Sequence, residues 1–387
     1  MNNIEYQTLA EKFGKLTVKH PKQNEALLDA TFLLTMCNNV DFVLIAGPTG
    51  AGKSHLLQRL AAEVNQFYSA QSVETPCMVP YLSTIAVADG AKKFGWKRCW
   101  ADGCMGLGDP FAAARSWRTT DHPAARYPGE SLTTSVARQE FERELQLRRT
   151  KVWAIDEAHH ILLGGVAGEP SDQFEVLKSV GQITPIKLVL CGTYQLPRLL
   201  NYSGQVMRRS ATVTLAPYSL KHKKEVGQFI GVCKSLLDHL PSKSNLNPSE
   251  CAEELFYGTL GCVGVLKDWI ARAWANAHFK KAPSMTMDHL LATRLPAETL
   301  LSMHNEILAG EAMNSTDAES LYRRQVAEHA AGTLVNPGFE TDKEKTPKRK
   351  PTGQRVQQRK PGVRLPGRDP VKTAAERRSA LKELVYE

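Results

Sequence analysis

Long apolar runs are missing from this sequence of 387 residues. A stretch such as Phe42 to Ala46 is strand-sized and far short of the roughly 20 residues that a membrane-spanning helix needs, so a helical membrane protein is excluded. The N-terminal MNNIEYQTLAEKFGK holds neither an apolar segment nor an Arg-rich presequence, and the expectation is a cytoplasmic chain, not a secreted one. Paired cysteines are missing too. The eight are scattered, and the nearest pair, Cys99 and Cys104, is not a CxxC, which argues against a disulfide framework or a zinc site. What remains is an ordinary globular composition, with 42% hydrophobic and 23% charged residues, able to bury a sizeable core.

Charge is unevenly placed. Residues 341–387 hold 14 Lys/Arg against 6 Asp/Glu, so this segment carries +8 of the formal net charge of +9 and the rest of the chain is close to neutral. The segment is rich in Pro and Gly and has no aromatic before Tyr386. It cannot bury enough apolar surface to offset its ordering entropy, so residues 336–387 read as a disordered basic tail after Asn336-Pro337-Gly338. Such a tail suits nucleic acid or an acidic protein groove. A short helix over 374–384 is expected to form on contact with a partner.

The strongest local signal is Gly47-Pro48-Thr49-Gly50-Ala51-Gly52-Lys53-Ser54, followed by His55, which fits GxxxxGK[ST] at every fixed position. It lies between an apolar strand, Asp41 to Ala46, and a helical pattern, His55 to Val64. The glycines let the loop curl so that backbone N–H groups face phosphate oxygens. Lys53 is expected to reach the β- and γ-phosphates of ATP, and the Ser54 hydroxyl to bind Mg²⁺. A second strand, Val152 to Ile155, ends in Asp156-Glu157. Asp156 is the expected Mg²⁺ orienter and Glu157 the group that polarises the attacking water. Together these residues describe a nucleotide hydrolase.

Asp156-Glu157-Ala158-His159 also spells DEAH, the mark of one helicase superfamily. The 231 residues after Asp156 carry neither a Ser-Ala-Thr motif nor an arginine-rich closing motif. They offer another strand, Ile186 to Cys191, ending in Gly192-Thr193-Tyr194, where Thr193 (or Tyr194) is placed to sense a γ-phosphate. A helicase or loader motor therefore stays a minor alternative. Arg208 and Arg209 precede an alternating strand, Ala211 to Leu215, where an arginine can reach a neighbouring subunit's γ-phosphate. Beyond Pro217, apolar residues from Val226 to Leu240 and from Leu266 to Ala277 recur at helical spacing, which predicts a small helical lid.

These motifs resemble AAA+ ATPases and, within them, the TnsC/TniB regulators of DNA transposition, related to the IstB helpers of insertion sequences. The resemblance runs from His20-Pro21 to Ala277. It rests on the order of the phosphate loop, Val79-Pro80-Tyr81-Leu82, Val152 to Glu157, Phe174 to Lys178, Ile186 to Thr193, Arg209 and the glycine-rich Gly261 to Lys267. It departs from the family where Gly264 stands in place of a lid arginine, and where Arg208-Arg209-Ser210 replaces Arg-Phe. The resemblance implies an α/β fold with a parallel sheet flanked by helices, followed by an all-helical lid. It also implies a homo-oligomer, ring or filament, that assembles on double-stranded DNA when ATP is bound. Such an assembly would join a target-selection protein to a DDE-type transposase, here through the basic tail, and disassemble on hydrolysis. The domain expectation is residues 1–216 for the α/β part, 217–335 for the lid and 336–387 for the tail.

Between Lys53 and Asp156 lie more residues than the roughly 50 a minimal helix–strand–helix path requires. The excess centres on 91–131, where basic and aromatic residues interleave. Lys92, Lys93, Lys97 and Arg98 are the candidate contacts to DNA, made without sequence-specific readout. The tryptophans there suit packing on sugars or bases, and equally the core of a surface elaboration. A rival function keeps the fold but makes it an ATP-switched signalling scaffold that never binds DNA.

Overall fold

The computed structural model describes residues 3–87, 94–109, 133–164, 170–197, 207–241 and 244–313, together with 322, 323, 326 and 327. Five short strands form one parallel sheet: β1 (Phe42–Ala46), β2 (Tyr81–Ile85), β3 (Val152–Asp156), β4 (Lys187–Gly192) and β5 (Ser210–Thr214), in the order β2-β3-β4-β1-β5. The central strands are near-continuous apolar runs because both faces of a parallel sheet are covered by helices. Alternate residues go to opposite sides. Phe42, Leu44, Trp153, Ile155, Leu188 and Leu190 enter one core with Trp100, Phe141 and Phe174. Val43, Ile45, Ala154 and Val189 enter the other with Leu27, Leu34, Leu56 and Leu60.

The second core is roofed by α2 (Pro21–Thr35) and α3 (Lys53–Phe67), the latter followed by the short α4 (Ser69–Glu74). The first is covered by α5 (Trp96–Gly106), α6 (Thr134–Leu147) and α7 (Pro170–Ile183). Lys187 at the start of β4 ties the sheet to α2, because its Nζ donates to the carbonyl of Leu33 in the last turn of that helix (3.0 Å) and to that of Cys37 just beyond it (2.6 Å). That arrangement satisfies acceptors a helix end leaves open.

After β5 the chain turns helical: α8 (Lys223–Asp238), α9 (Pro248–Tyr257), α10 (Val263–Phe279), α11 (Met287–Leu291) and α12 (Ala297–Met313). Phe229, Leu236, Leu266, Trp269, Ile270 and Trp274 fill the core of this part, so the predicted lid helices are present with their aromatics inside. The sequence reading grouped residues 1–216 as one domain. The N-terminal α1 (Asn3–Lys15) instead lends Phe13 to the helical core, and Tyr6 stacks on His278 at 4.4 Å. The apolar face of α1 has no place on a sheet already covered on both sides. The expected second strand starts at Tyr81, not Val79, because the Val79 N–H is drawn to the Arg148 carbonyl (2.8 Å) just before the ladder with β3 begins.

Contacts separate residues 322–387 as a second unit. The basic segment, and the helix expected over 374–384, lie outside the described residues. Among the described residues, no helix is long and apolar enough to cross a membrane.

Candidate functional site

All five strands run parallel, so the ends of β1, β3 and β4 meet at one edge of the sheet. The register sets Ala46 beside Gly192 and Ile155 beside Leu190, which brings the phosphate loop, Thr193 and the Asp156-Glu157 pair together. The loop itself needs its glycines. Gly50 and Gly52 take φ of 77° and 94°, and Gly52 caps α3 in the left-handed region that a side chain resists. A Cβ at Gly47 would stand 2.5 Å from the Leu215 carbonyl oxygen, so the loop is seated directly on the end of β5.

Lys53 is buried, and its ammonium donates to the loop's own carbonyls at Gly47 (3.0 Å) and Pro48 (2.9 Å). Ser54 stands exposed in the first turn of α3. Asp156 is buried at the end of β3, where its Oδ1 accepts the Glu157 N–H at 2.8 Å. Burial first, then the negative charge of Asp156, pushes the neighbouring Cys191 thiol well up. Glu157 has φ 52°, a strained backbone for a residue with a Cβ, and lifts its half-exposed carboxylate to 3.2 Å from His159 Nδ1. Burial first, then the neighbouring His160, lowers the His159 pKa against the opposing pull of Glu157. Thr193 Oγ1 is buried without a hydrogen-bond partner among the described residues. An orphaned hydroxyl beside a glycine cradle, a lysine folded onto its own loop and two carboxylates suits a phosphate–Mg²⁺ group.

Sequence reasoning missed the cleft beside the loop. A cavity of ≈ 210 Å³ is lined by Val18, His20, Gln23, His55, Val263 and Lys267, among others, and offers room for a nucleobase. His20 stands before Pro21 at the start of α2, and its Nδ1 lies 3.1 Å from the Tyr218 hydroxyl. Gln23 contacts His55 Nδ1 (3.0 Å) and accepts from Arg59 (3.0 Å). Lys22 fastens the same turn to the Pro217 carbonyl and to Glu225, both at 2.6 Å. The only hint in the sequence was His20-Pro21 ahead of a helix.

Arg208 and Arg209 sit at the other edge of the sheet, before β5. Five residues of β1 at about 3.3 Å each put them some 16 Å from their own phosphate loop. Arg209 is engaged there, with its Nη1 at 2.6 Å from Asp41 Oδ2. For Arg208 no partner is found among the described residues. Both line a larger cavity, ≈ 800 Å³, with Lys178 and Asp41.

Of the DNA candidates, Lys92 and Lys93 lie outside the described residues, as does residue 110 onward to 132. Lys97 and Arg98 are half-buried on α5, with Arg98 Nε at 3.6 Å from Asp102. The tryptophans between them do not face outward as a stacking platform. Trp100 is 1% exposed, lies 4.7 Å from Trp96, and packs on Phe141 and Trp153. A ring this apolar is worth more inside the core than in water.

An AAA-domain family model matches residues 38–200, from just before β1 to just past β4. No curated protein matches the chain significantly. Among solved structures, the ORC2 protein of Aeropyrum pernix is 14% identical with a TM-score of 0.49, over 73% of this chain and 70% of that one. Domain III of the replication initiation protein DnaA from Thermotoga maritima is 13% identical with a TM-score of 0.44, over 73% and 94%. A RuvB variant from Thermotoga maritima is 18% identical with a TM-score of 0.37, over 71% of each chain. These scores lie below 0.5, too distant for any of those proteins' roles to pass to this chain. The sheet, the phosphate loop and the family match define residues 38–200 as an AAA domain, an ATPase that uses ATP with Mg²⁺.

Proposed function

We propose that this protein is an ATP-gated regulator of DNA transposition, active as a homo-oligomer on double-stranded DNA. The observation that carries the oligomer is the position of Arg208 and Arg209. At the sheet edge opposite their own phosphate loop, they serve a γ-phosphate only if it belongs to a neighbour. Arg209 is engaged in an exposed ion pair with Asp41, which favours Arg208 as the trans-acting arginine of the two. Within each site Lys53 and the loop N–H groups hold the phosphates, Ser54 and Asp156 hold Mg²⁺, and Glu157 takes the proton of the attacking water. Bound Mg²⁺ supplies charge neutralisation on the phosphates. Thr193 donates its free hydroxyl toward the γ-phosphate.

Because the triphosphate is shared between subunits, assembly depends on the γ-phosphate and ends on hydrolysis. The link to transposition rests on the ordered motifs shared with TnsC/TniB proteins. With them come a DDE-type transposase and a target-selection protein as partners, the former through the basic segment 336–387. DNA contact is sequence-tolerant and electrostatic, with Lys92, Lys93, Lys97 and Arg98 as its candidates.

The inward packing of Trp96 and Trp100 favours a second reading, a signalling scaffold that does not touch DNA. Electron microscopy separates the two, with double-stranded DNA present throughout, using ATP, ADP, and Glu157→Gln with ATP. Rings or filaments on DNA in the triphosphate states alone support the proposal. Discrete particles that ignore DNA in every state overturn it in favour of the scaffold.

A further inference from the structure

Helix α12 (Ala297–Met313) lies beyond the predicted lid helices, against the rim of the phosphate loop. Three contacts place it there. Thr49 Oγ1, in the loop, donates to Glu306 Oε2 at 3.5 Å. Ile307, one residue on, packs with Cys262 and Val265 at the start of α10, and Val265 in turn closes on Gly50. Gly310, one turn further, rests on the ring of Tyr194, so closely that a Cβ there would stand 2.2 Å from the nearest ring atoms. The helix therefore touches the phosphate loop, the lid and the residue after Thr193 at the same time.

Glu306 is the unusual member of this contact. Its Oε1 is buried and has no hydrogen-bond partner among the described residues. Burial first, with Glu311, Cys262 and Glu306 adding to it, raises the pKa of Tyr194; on Cys262, where burial again dominates, Lys53 pulls down and Glu306 pushes up, so both charges lie near Cys262. Glu306 as a whole is half-exposed, but a carboxylate oxygen buried without a partner is costly. Here it is tolerated beside a loop whose N–H groups and lysine are positive. A triphosphate in that loop reverses the local sign, and its γ-phosphate brings like charge toward Glu306, whereas a diphosphate ends earlier.

We propose that α12 is a gate over the γ-phosphate end of the nucleotide site, and that Glu306 makes it respond to the triphosphate. The gate lies shut with ADP or with no nucleotide, and is pushed open by ATP through like-charge repulsion. The energy of that displacement is drawn from ATP binding, so the shut gate weakens the triphosphate selectively. The inference rests on the ATP site alone, and requires neither DNA, assembly nor transposition.

The test is made on the full chain, with ADP and the non-hydrolysable analogue AMP-PNP, and reads nucleotide affinity together with hydrogen exchange over residues 297–313. In the wild-type protein, exchange in α12 rises with AMP-PNP and not with ADP. Glu306→Gln keeps the shape and removes the charge. It is expected to tighten AMP-PNP by about tenfold, to change ADP by less than about twofold, and to abolish the rise in exchange. Gly310→Leu, which forces the helix off Tyr194, is expected to give fast exchange in every state and the same selective gain. If Gly310→Leu fails to fold, the near-isosteric Glu306→Gln still decides. Equal gains for both nucleotides, no gain for either, or α12 exchange that ignores the γ-phosphate would each overturn the gate.

Discussion

The backbone N–H of Gly264 donates to the carbonyl of Gly50 at 2.8 Å, so the first turn of lid helix α10 is bonded directly to the phosphate loop. A Cβ at position 264 would stand 2.5 Å from that carbonyl oxygen. The glycine at this position, a departure from the pattern that the resemblance to AAA+ ATPases implies, has its reason in that contact, which leaves no room for a side chain.

Gly264→Arg is therefore expected to pry the lid from the loop and not to restore a sensor. Overpacking of this kind costs about 1–3 kcal/mol. Thermal melting should show the loss, and nucleotide affinity should fall with it. An arginine variant that melts like the wild type and hydrolyses ATP faster would show that the contact is dispensable.

Glu157→Gln should bind ATP within a few-fold of the wild type and hydrolyse it at least about a hundredfold more slowly, the usual size of a lost general base. Turnover and equilibrium binding, measured on the same preparation, check this. Hydrolysis within tenfold of the wild type would move the base elsewhere.

The two arginines should part company. Arg208→Ala is expected to lower the turnover of the assembled protein by about a hundredfold or more, while Arg209→Ala, which loses an exposed pair worth about 0–1 kcal/mol, should be milder. Mixing Arg208→Ala with Lys53→Ala subunits tests action in trans. Activity should reappear in the mixture, at interfaces that join an intact site to an intact arginine.

His20 predicts an acid-sensitive fold. It is buried, and burial first, then the positive charge of Arg59, His55 and Lys22, lowers its pKa from the usual 6.5 down to about 4. Above pH 6.5 the ring is neutral folded or unfolded and exerts no pH effect. As pH falls from 6.5 toward 4 the unfolded chain takes up a proton that the folded chain refuses, so stability drops, by about 3 kcal/mol in all, and then levels off. Comparison of His20→Asn with the wild type across pH 7 to 4.5 should remove that part of the slope. Parallel curves would mean that His20 does not titrate as its surroundings require.

On the proposed function, removal of residues 341–387 should leave ATP hydrolysis and assembly on DNA close to wild type and abolish coupling to a transposase. Full transposition by the shortened protein would show that the basic segment is not the connector.

Much of the site was legible because its chemistry is local. Gly47 to Ser54 sit on consecutive positions, and Asp156 and Glu157 directly follow four apolar residues, so loop, strand and carboxylates were readable together. The buried strands were readable for a similar reason, since a strand covered on both faces must be apolar throughout. Trp96 and Trp100 were ambiguous, because a basic-aromatic alternation reads the same whether the rings face solvent or a core. Burial against Phe141 and Trp153 depends on partners far along the chain.

Composition and local spacing alone thus determined that this chain builds a nucleotide-hydrolysing α/β domain with a helical lid, because strand periodicity and loop curvature are properties of neighbouring residues. Only the tertiary structure decided which distant groups meet. It put His20 and Gln23 beside the phosphate loop, paired Arg209 with Asp41 at the far edge of the sheet, and laid Glu306 against Thr49. Such contacts arise from the packing of whole elements, and no window along the sequence contains them.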